Sequence, residues 1–210
     1  MNVWQFLAQN RTEVLESVLE HLWLVGVSTA FAVLIGIPLG VAITRWPRLN
    51  KPLLGGVNII QTIPSLALFG FLLPAPWSGA RADRLAILAL TLYALLPLVR
   101  NTYAGIKGVD PAIVEAARGM GMTDRQLLFQ VQLPLALGVI IAGVRVATVI
   151  SVGLATIAAA IGAGGLGEYI FRGLAMVDNS VILAGAIPAA VLAILADLSL
   201  GWLEKRLAPR

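Results

Sequence analysis

Five long apolar runs, separated by shorter polar stretches, dominate the hydrophobic pattern of the chain. Each run holds at least 20 residues. A helix of that length, rising about 1.5 Å per residue, crosses a bilayer core of about 30 Å. The runs cover residues 22–43, 52–73, 85–104, 135–161 and 180–203. The pattern predicts an all-α, polytopic membrane protein with five transmembrane helices, forming a single transmembrane domain over residues 1–210.

The composition supports a membrane protein and excludes several other classes. Hydrophobic residues make up 59% of the chain and charged residues 12%, against about 45–50% and about 25% in soluble domains. The absence of cysteine excludes disulfides and cysteine-ligated metals, and a lone histidine, His21, forms no metal-binding cluster. The net charge of +4 is concentrated in particular loops. We therefore interpret it as a topology signal within membrane lipid and expect no nucleic-acid partner.

The N-terminal residues 1–21 are amphipathic, with apolar and acidic positions interleaved before the first run. This pattern is typical of a helix that lies in the membrane interface. Trp4 and Trp23 suit anchoring at the level of the lipid headgroups. His21, beside Glu20, is expected at the same level.

Residues 110–134 form the only long polar interruption, and we call this segment the elbow. Asp110 can cap a helix whose first turn holds a proline, and glycines near residue 120 end that helix. Thr123 or Asp124 can cap a second helix, which Pro134 closes. The elbow is therefore predicted to be a short helix–turn–helix between the third and fourth runs.

A motif within the elbow resembles a family signature. The matching positions are Glu115, Ala116, Ala117, Gly121, Val131, Leu133 and Pro134. Together they resemble the E-A-A-x3-G-x9-I-x-L-P signature of the permease subunits of binding-protein-dependent ABC importers. Valine stands where that signature usually has isoleucine, and every other position matches.

The resemblance implies a type I ABC importer permease fold in which the elbow carries the coupling helix. In that family, the coupling helix docks into a cleft of a cytoplasmic ABC ATPase dimer, which binds ATP and magnesium. The resemblance assigns ATPase coupling to Glu115, Ala116, Ala117, Arg118, Gly121, Leu133 and Pro134. Small side chains there permit close approach of a partner, and Glu115 and Arg118 offer charges that set register. An apolar contact face is expected from Met120, Met122, Leu127, Leu128 and Phe129.

The same resemblance implies the remaining partners of the chain. These are a second permease subunit, identical or paralogous, and an extracytoplasmic substrate-binding protein. The chain has no G-x-x-x-x-G-K-[ST] phosphate-binding motif, so we expect ATP hydrolysis in a separate subunit. We accordingly expect no enzymatic activity, no cofactor and no metal in this chain.

Two further stretches are most similar to the permeases of osmoprotectant importers, which carry glycine betaine, choline or carnitine. They are QTIPSLALFGFLLP at residues 61–74 and IGAGGLGEYIFRGL at residues 161–174. Methionine permeases share the five-span plan, so amino-acid uptake is the alternative, and a secondary transporter is less favoured. Residues 162–167 also match a dinucleotide-binding glycine pattern, which we reject because no βαβ unit surrounds it. The resemblance implies a turn and a short helix there instead.

Polar side chains interrupt the second run around Ile63-Pro64-Ser65, which predicts a broken or kinked helix. Two interpretations of these side chains stay open. They either line the translocation path or make ordinary hydrogen bonds between helices. The candidate path residues are Asn58, Gln61, Thr62, Ser65 and Tyr93.

Two charged side chains lie inside apolar runs. Arg145 is about ten residues into the fourth run, so it must snorkel, pair or face water. Asp197 in the fifth run either pairs with Arg145 or another span, or is hydrated near the aqueous end of its helix. We favour the hydrated position.

The distribution of basic residues predicts the orientation. Residues 44–51, residues 100–134 and the C-terminal tail hold ten basic residues, whereas the segments on the opposite side hold four. We therefore expect a multi-pass protein of the cell (inner) membrane with its N-terminus outside. The elbow and the C-terminus are expected in the cytoplasm.

Overall fold

A computed structural model describes residues 3–73 and 81–207, and within these ranges every regular element is helical. The helices are α1 (Val3–Gln9), α2 (Arg11–Arg45), α3 (Pro47–Thr62), α4 (Ser65–Leu72), α5 (Ala82–Lys107), α6 (Pro111–Gly119), α7 (Asp124–Gln126), α8 (Leu133–Ala158), α9 (Gly167–Met176) and α10 (Asn179–Leu207). A π-helical turn (Leu127–Gln132) joins α7 to α8, and a 3₁₀ turn (Ala159–Ile161) follows α8. The all-α prediction is confirmed.

Four continuous helical segments in the described ranges are long and apolar enough to cross a membrane. They are α2, α5, the segment from α7 through the 3₁₀ turn, and α10. α3 and α4 supply a fifth as a pair bent by 95°. Arg45, at the end of α2, contacts Asp124 of the elbow, whereas Asp83, at the start of α5, shares a cavity with Glu20 at the opposite end. The bent pair therefore crosses the bundle once, which agrees with the five predicted spans.

The N-terminal segment departs from the prediction of one interfacial helix over residues 1–21. Only Val3–Gln9 forms a separate helix, and α2 already begins at Arg11. Helical bonding runs on because no glycine or proline interrupts the chain between residues 11 and 21. Trp4 and Trp23 are both 64% exposed, as headgroup anchors require. Residues 1 and 2 of that predicted helix, and the last three residues of the C-terminal tail, lie outside the described residues.

His21 is fully buried within the chain, which the sequence pattern did not indicate. Its Nε2 lies 3.2 Å from the carbonyl oxygen of Val152 in α8. Protein thus encloses the His21 side chain, although most residues of the preceding turns of α2 are exposed. The pattern along one helix could not show this, because the partner is 131 residues away in the sequence.

The glycine-rich turn after α8 and the helix α9 are the turn and short helix that the resemblance implied. Gly164 and Gly165 have φ angles of +82° and +81°, a left-handed region that favours glycine. The carboxylate of Glu20 accepts a hydrogen bond from the Gly165 N–H at 3.0 Å. The start of α2 therefore holds this turn in place. We call this side of the bundle the turn end and the opposite side the elbow end.

α2 packs against α5 at very short range through two glycines. A Cβ atom on Gly40 would lie 2.5 Å from the Cβ of Thr102, and one on Gly36 would lie 2.9 Å from the Cβ of Leu98. The G-x-x-x-G pattern of the first run thus marks a helix–helix contact. The contact holds the first span close to the third, and the two spans run in the same direction.

We expect Gly40→Val to destabilise the chain, because the new side chain would overlap Thr102 and the carbonyl of Val99. Overpacking of this kind costs about 1–3 kcal/mol. The thermal unfolding temperature of the detergent-solubilised protein should fall accordingly. Gly26→Val in the same helix is the matched control, since a Cβ at Gly26 has no neighbour within 4 Å. Equal unfolding temperatures for the two variants would contradict the packing account.

Candidate functional site

α6 is a short helix capped at both ends. Asp110 accepts a hydrogen bond from the backbone N–H two residues later at 2.9 Å, as predicted for the cap. At the other end, the N–H groups of Gly121 and Met122 donate to the carbonyls of Arg118 and Ala117, at 2.9 and 3.2 Å. These two bonds form a Schellman motif, which requires a left-handed residue at Gly121. Its φ angle is +83°.

Gly121 is therefore needed for its backbone conformation. A Cβ atom at this position would have no neighbour within 4 Å, so space within the chain imposes no constraint. Gly119 has equally open surroundings but no left-handed φ angle. The two glycines of the motif region thus differ in one physical property, and only Gly121 determines how the chain leaves α6.

The second half of the elbow begins with a capping box. Thr123 Oγ1 accepts from the Gln126 N–H at 3.3 Å, and Gln126 Oε1 accepts from the Thr123 N–H at 2.9 Å. Of the two predicted caps, Thr123 is the one observed.

The helix that follows does not end at Pro134, which corrects the prediction of a second short helix. Pro134 lies in the first turn of α8, where a proline is tolerated. Proline has no backbone N–H and so cannot donate a helical hydrogen bond. The π-helical turn that precedes Pro134 already departs from the regular α-helical hydrogen-bonding pattern there. The elbow therefore continues into the fourth span without a break.

Arg45, the last residue of α2, fastens the elbow to the bundle. Its Nη2 donates to the carbonyl of Asp124 at 3.0 Å and to Gln132 Oε1 at 3.2 Å. The Asp124 carboxylate lies 3.8 Å from Arg45 Nη1 and 3.6 Å from Arg118 Nη2. Solvent-exposed ion pairs contribute little to stability. The guanidinium instead sets geometry, because it joins the first span to the start of α7 and to the last residue of the π-helical turn.

The side chains of the elbow divide into an inner and an outer face. Ala117, Leu127 and Leu128 are buried, at 2%, 1% and 8% exposure, and they pack toward the bundle. This corrects the expectation that these three side chains are available to a partner. Among the predicted coupling and contact residues, those that are exposed are Glu115, Ala116, Arg118, Met120, Gly121, Phe129 and Pro134, together with the neighbouring Ile113, whereas Met122 and Leu133 are half-buried. Met120 and Phe129 are the most open apolar groups among them, at 74% and 59% exposure.

A cavity of about 310 Å³ lies between α6 and the ends of α2 and α5. Glu115 and Arg118 line it from α6, while Arg45 and Lys107 line it from the two spans. Three cations and one carboxylate therefore border the same space. An acidic side chain from a docked partner would be electrostatically favoured there.

The broken second span brings two of the candidate path residues together. Gln61 Nε2 donates to the carbonyl of Tyr93 at 2.9 Å, and the Tyr93 hydroxyl donates to the carbonyl of Ile63 at the break. The Ile63 carbonyl lies at the bend, whereas the Tyr93 carbonyl lies inside α5 four residues before Pro97, which has no N–H to donate to it. Tyr93 is only 6% exposed, so it supports the break from within the bundle.

The other candidate path residues lie around the same break. Asn58 Oδ1 accepts from Arg100 Nη2 at 2.8 Å, which is an interhelical bond. The exposed Thr62 hydroxyl donates to the carbonyl of Ile59 at 2.7 Å, and Ser65 begins α4 half-buried. Hydrogen bonds between helices thus account for some of the candidate path residues, whereas the Thr62 side chain is exposed.

An ion-pair cluster joins α8 to α10. Arg145 Nε and Nη2 donate to the two carboxylate oxygens of Asp197 at 2.5 and 2.7 Å, and Arg145 Nη1 lies 3.4 Å from Glu204 Oε2. The favoured hydrated position of Asp197 was therefore wrong, and its pairing with Arg145 is observed. The bidentate geometry satisfies both charges inside the bundle.

Sequence reasoning missed the contacts of Arg45, Arg100 and Glu204. Each joins helices that are 42 or more residues apart, and no periodicity within one helix signals such a partner. Within residues 3–73 and 81–207, no group of three or more His, Asp or Glu side chains is placed to hold a metal ion.

Relatives of the chain span almost its full length. OpuCD of Bacillus subtilis (strain 168), a glycine betaine/carnitine/choline transport system permease protein, is 45% identical over 205 residues, covering 97% of this chain and 88% of that protein. The carnitine transport permease protein OpuCD of Listeria monocytogenes is 47% identical, covering 95% and 89%. The osmoprotectant import permease protein OsmW of Salmonella typhimurium is 41% identical, covering 100% and 99%.

Solved structures agree with the fold. The methionine ABC transporter MetNI in an inward-facing conformation has a chain similar to this one at a TM-score of 0.83 and 25% identity, covering 93% of this chain and 96% of that one. An amino acid ABC transporter matches in fold alone, at a TM-score of 0.79 and 19% identity. The predicted type I importer permease fold is thereby confirmed. Residues 32–209 match one family over most of the chain, and the protein belongs to that family, the binding-protein-dependent transport system inner membrane components.

Proposed function

We propose that this chain is the permease subunit of an ABC importer for quaternary-ammonium osmoprotectants such as glycine betaine, choline or carnitine. Two permease subunits, identical or paralogous, form the translocation path. A separate ATPase dimer binds ATP and magnesium, and an extracytoplasmic binding protein delivers the solute. Transport follows alternating access, in which the path opens to one side of the membrane at a time.

One observation supports this substrate class above the others. The relatives at 41–47% identity over nearly the whole chain are named for glycine betaine, carnitine, choline or osmoprotectants. The methionine transporter, which favours the alternative of amino-acid uptake, is similar in fold at 25% identity. Similarity of fold alone leaves the solute open, because one architecture serves many substrates.

The outer face of the elbow suits docking to the ATPase. It combines exposed apolar groups with the charges of Glu115 and Arg118, beside a cavity bordered by three cations. The caps of α6 and the tie from Arg45 hold this face in one geometry. A preorganised surface loses less entropy on binding than a flexible one. Motion of a docked ATPase would pass from α6 through the turn at Gly121 into the continuous helical segment that begins at Asp124 and includes α8.

The basic residues support a cytoplasmic position for the elbow. Arg45 and Lys107 end their spans beside it, and Lys205 and Arg206 lie in the last turn of α10. The turn end carries fewer basic residues and holds the first helical turns, with Glu13, Glu16 and Glu20. By the positive-inside rule, the elbow end faces the cytoplasm, within reach of an ATPase.

The identity of the solute is tested by measuring uptake into proteoliposomes that contain the permease, its ATPase and its binding protein. We expect ATP-dependent uptake of radiolabelled glycine betaine, choline or carnitine, and none of methionine. Uptake of methionine alone would support the amino-acid alternative. ATP-independent uptake driven by an ion gradient would refute an ABC importer.

We expect Glu115→Lys and Gly121→Leu to abolish uptake while the permease still reaches the membrane. The first reverses the charge on the outer face, and the second forces a side chain into a left-handed conformation that costs about 1–2 kcal/mol. Uptake and membrane-fraction immunoblots measure the two effects separately.

Alanine at Gly121 and at Gly119 provides the matched comparison for the backbone effect. A Cβ is unhindered at both positions, but only Gly121 has a positive φ angle. Gly121→Ala should reduce uptake and Gly119→Ala should not. Equal uptake in the two variants would show that the Schellman motif does not matter for coupling.

We expect single cysteines at Asn58, Gln61, Thr62 and Ser65 to react with aqueous thiol reagents at a rate that depends on nucleotide. The wild-type chain contains no cysteine, so the background is clean. Cysteine at Tyr93 should react more slowly, since that position is 6% exposed. Cysteine at the fully buried Ala89 is the control. Uniform protection at all positions would remove these residues from the path.

A further inference from the structure

Three charged side chains, those of Arg145, Asp197 and Glu204, meet between two membrane-spanning helices. Arg145 is twelve residues beyond the start of α8, and Asp197 is ten residues before the end of α10. At about 1.5 Å per residue, both lie about 15–18 Å along their helices from the elbow end. Charges at such depth are retained only where a partner or water satisfies them.

The cluster attaches the terminal half of α10 to α8 through ion pairs. Beyond Ala189, Gly201 is the one residue of α10 that is buried, and a Cβ there would lie 3.2 Å from Arg145 Nη1. The large apolar groups of this half are exposed, including Leu195 and Leu198 at 56% and 62%. Leu192 and Ala193 are partly buried against the core, and beyond them the ion pairs of Arg145 add directional contacts that hold α10 against α8.

The helix that carries Arg145 is also the one that continues the elbow. α7, the π-helical turn and α8 form one membrane-crossing segment without a break. A displacement at Asp124 is thus carried along a single helix to Arg145. α2 meets the elbow only through side-chain contacts such as those of Arg45, which makes it a weaker route.

The exposed side of the ion-pair cluster indicates what lies next to α10 in the assembled importer. The side chains of Arg145 and Asp197 are 37% and 39% exposed in the single chain. Ionisable side chains inside spans face protein or a water-filled cavity, and not lipid. In an assembled importer, this side therefore belongs to the wall of the aqueous path or to the subunit interface that encloses it.

We propose that the Arg145–Asp197 pair is the joint through which α10 follows the movement of α8 during transport. The inference rests on the proposed coupling role of the elbow. Two parallel N–H···O bonds fix both the distance and the orientation of the helices, which a single contact would not do. Arg145 and Asp197 are positioning residues, since they act through α10 and need not touch the solute.

The test compares solute uptake with ATP hydrolysis in the same proteoliposomes. Asp197→Asn keeps the size of the side chain and removes the charge that holds Arg145. The number of solute molecules moved per ATP should fall by about tenfold, within the range of allosteric coupling energies, while binding-protein-stimulated hydrolysis stays near wild type. If the pair has a purely structural role, uptake and hydrolysis should both fall in proportion to the amount of assembled complex. That result would refute the proposal that the pair is a joint.

Two further variants test the proposal if the Asp197→Asn permease does not assemble into a complex. Gly201→Ala leaves every charge in place but presses on the guanidinium, so the ratio of solute to ATP should fall. Gly153→Ala in α8 is its control, because a Cβ there has no neighbour within 4 Å. Equal ratios for Gly201→Ala and Gly153→Ala would refute the joint.

Failure of the joint can be told from failure of the proposed function. A wild-type complex that takes up no solute with ATP refutes the importer itself and the joint with it. A wild-type complex that transports, together with an Asp197→Asn variant of unchanged ratio, refutes the joint alone.

Discussion

The unbroken helix from Asp124 to Ile161 is the constraint on which the rest of the structure depends. A bilayer core contains no water to satisfy the backbone, so a continuous helix is the favoured way to cross it. The other parts of the bundle attach to this helix at its two ends and near its middle. Arg45 holds its elbow end, Asp197 pairs with it inside the span, and Glu20 holds the turn that follows it.

These attachments are polar, whereas the core clusters between the spans are apolar. Van der Waals packing between spans is strong in sum but weakly directional, as at the close contact of Gly40 with Thr102. Hydrogen bonds and ion pairs impose both distance and angle. A few polar ties can therefore set how the helices move relative to one another, while apolar packing keeps them together. This combination of directional polar contacts and apolar packing suits a protein whose proposed function requires a reversible conformational change.

The second span shows how irregular backbone is accommodated in such a bundle. The Tyr93 hydroxyl donates a hydrogen bond to the Ile63 carbonyl at the bend, and Gln61 beside the bend donates to the Tyr93 carbonyl of α5. Broken helices at membrane depth are tolerated where protein or a water-filled cavity surrounds them. The break is thus held by the buried Tyr93 on one side, whereas the Thr62 side chain is exposed on the other.

Local interactions made the span count, the break at Pro64, the Asp110 cap of α6 and the end of α6 near its glycines predictable from the amino-acid sequence alone. Each depends on residues within a few positions of one another, where hydrophobic length, missing N–H groups and φ preference act directly. Only the tertiary structure decided that His21 is buried, that Ala117 faces inward and that Asp197 binds Arg145. These outcomes depend on which faces of distant helices meet, and the uniformly apolar composition of the spans carries no signal for that choice.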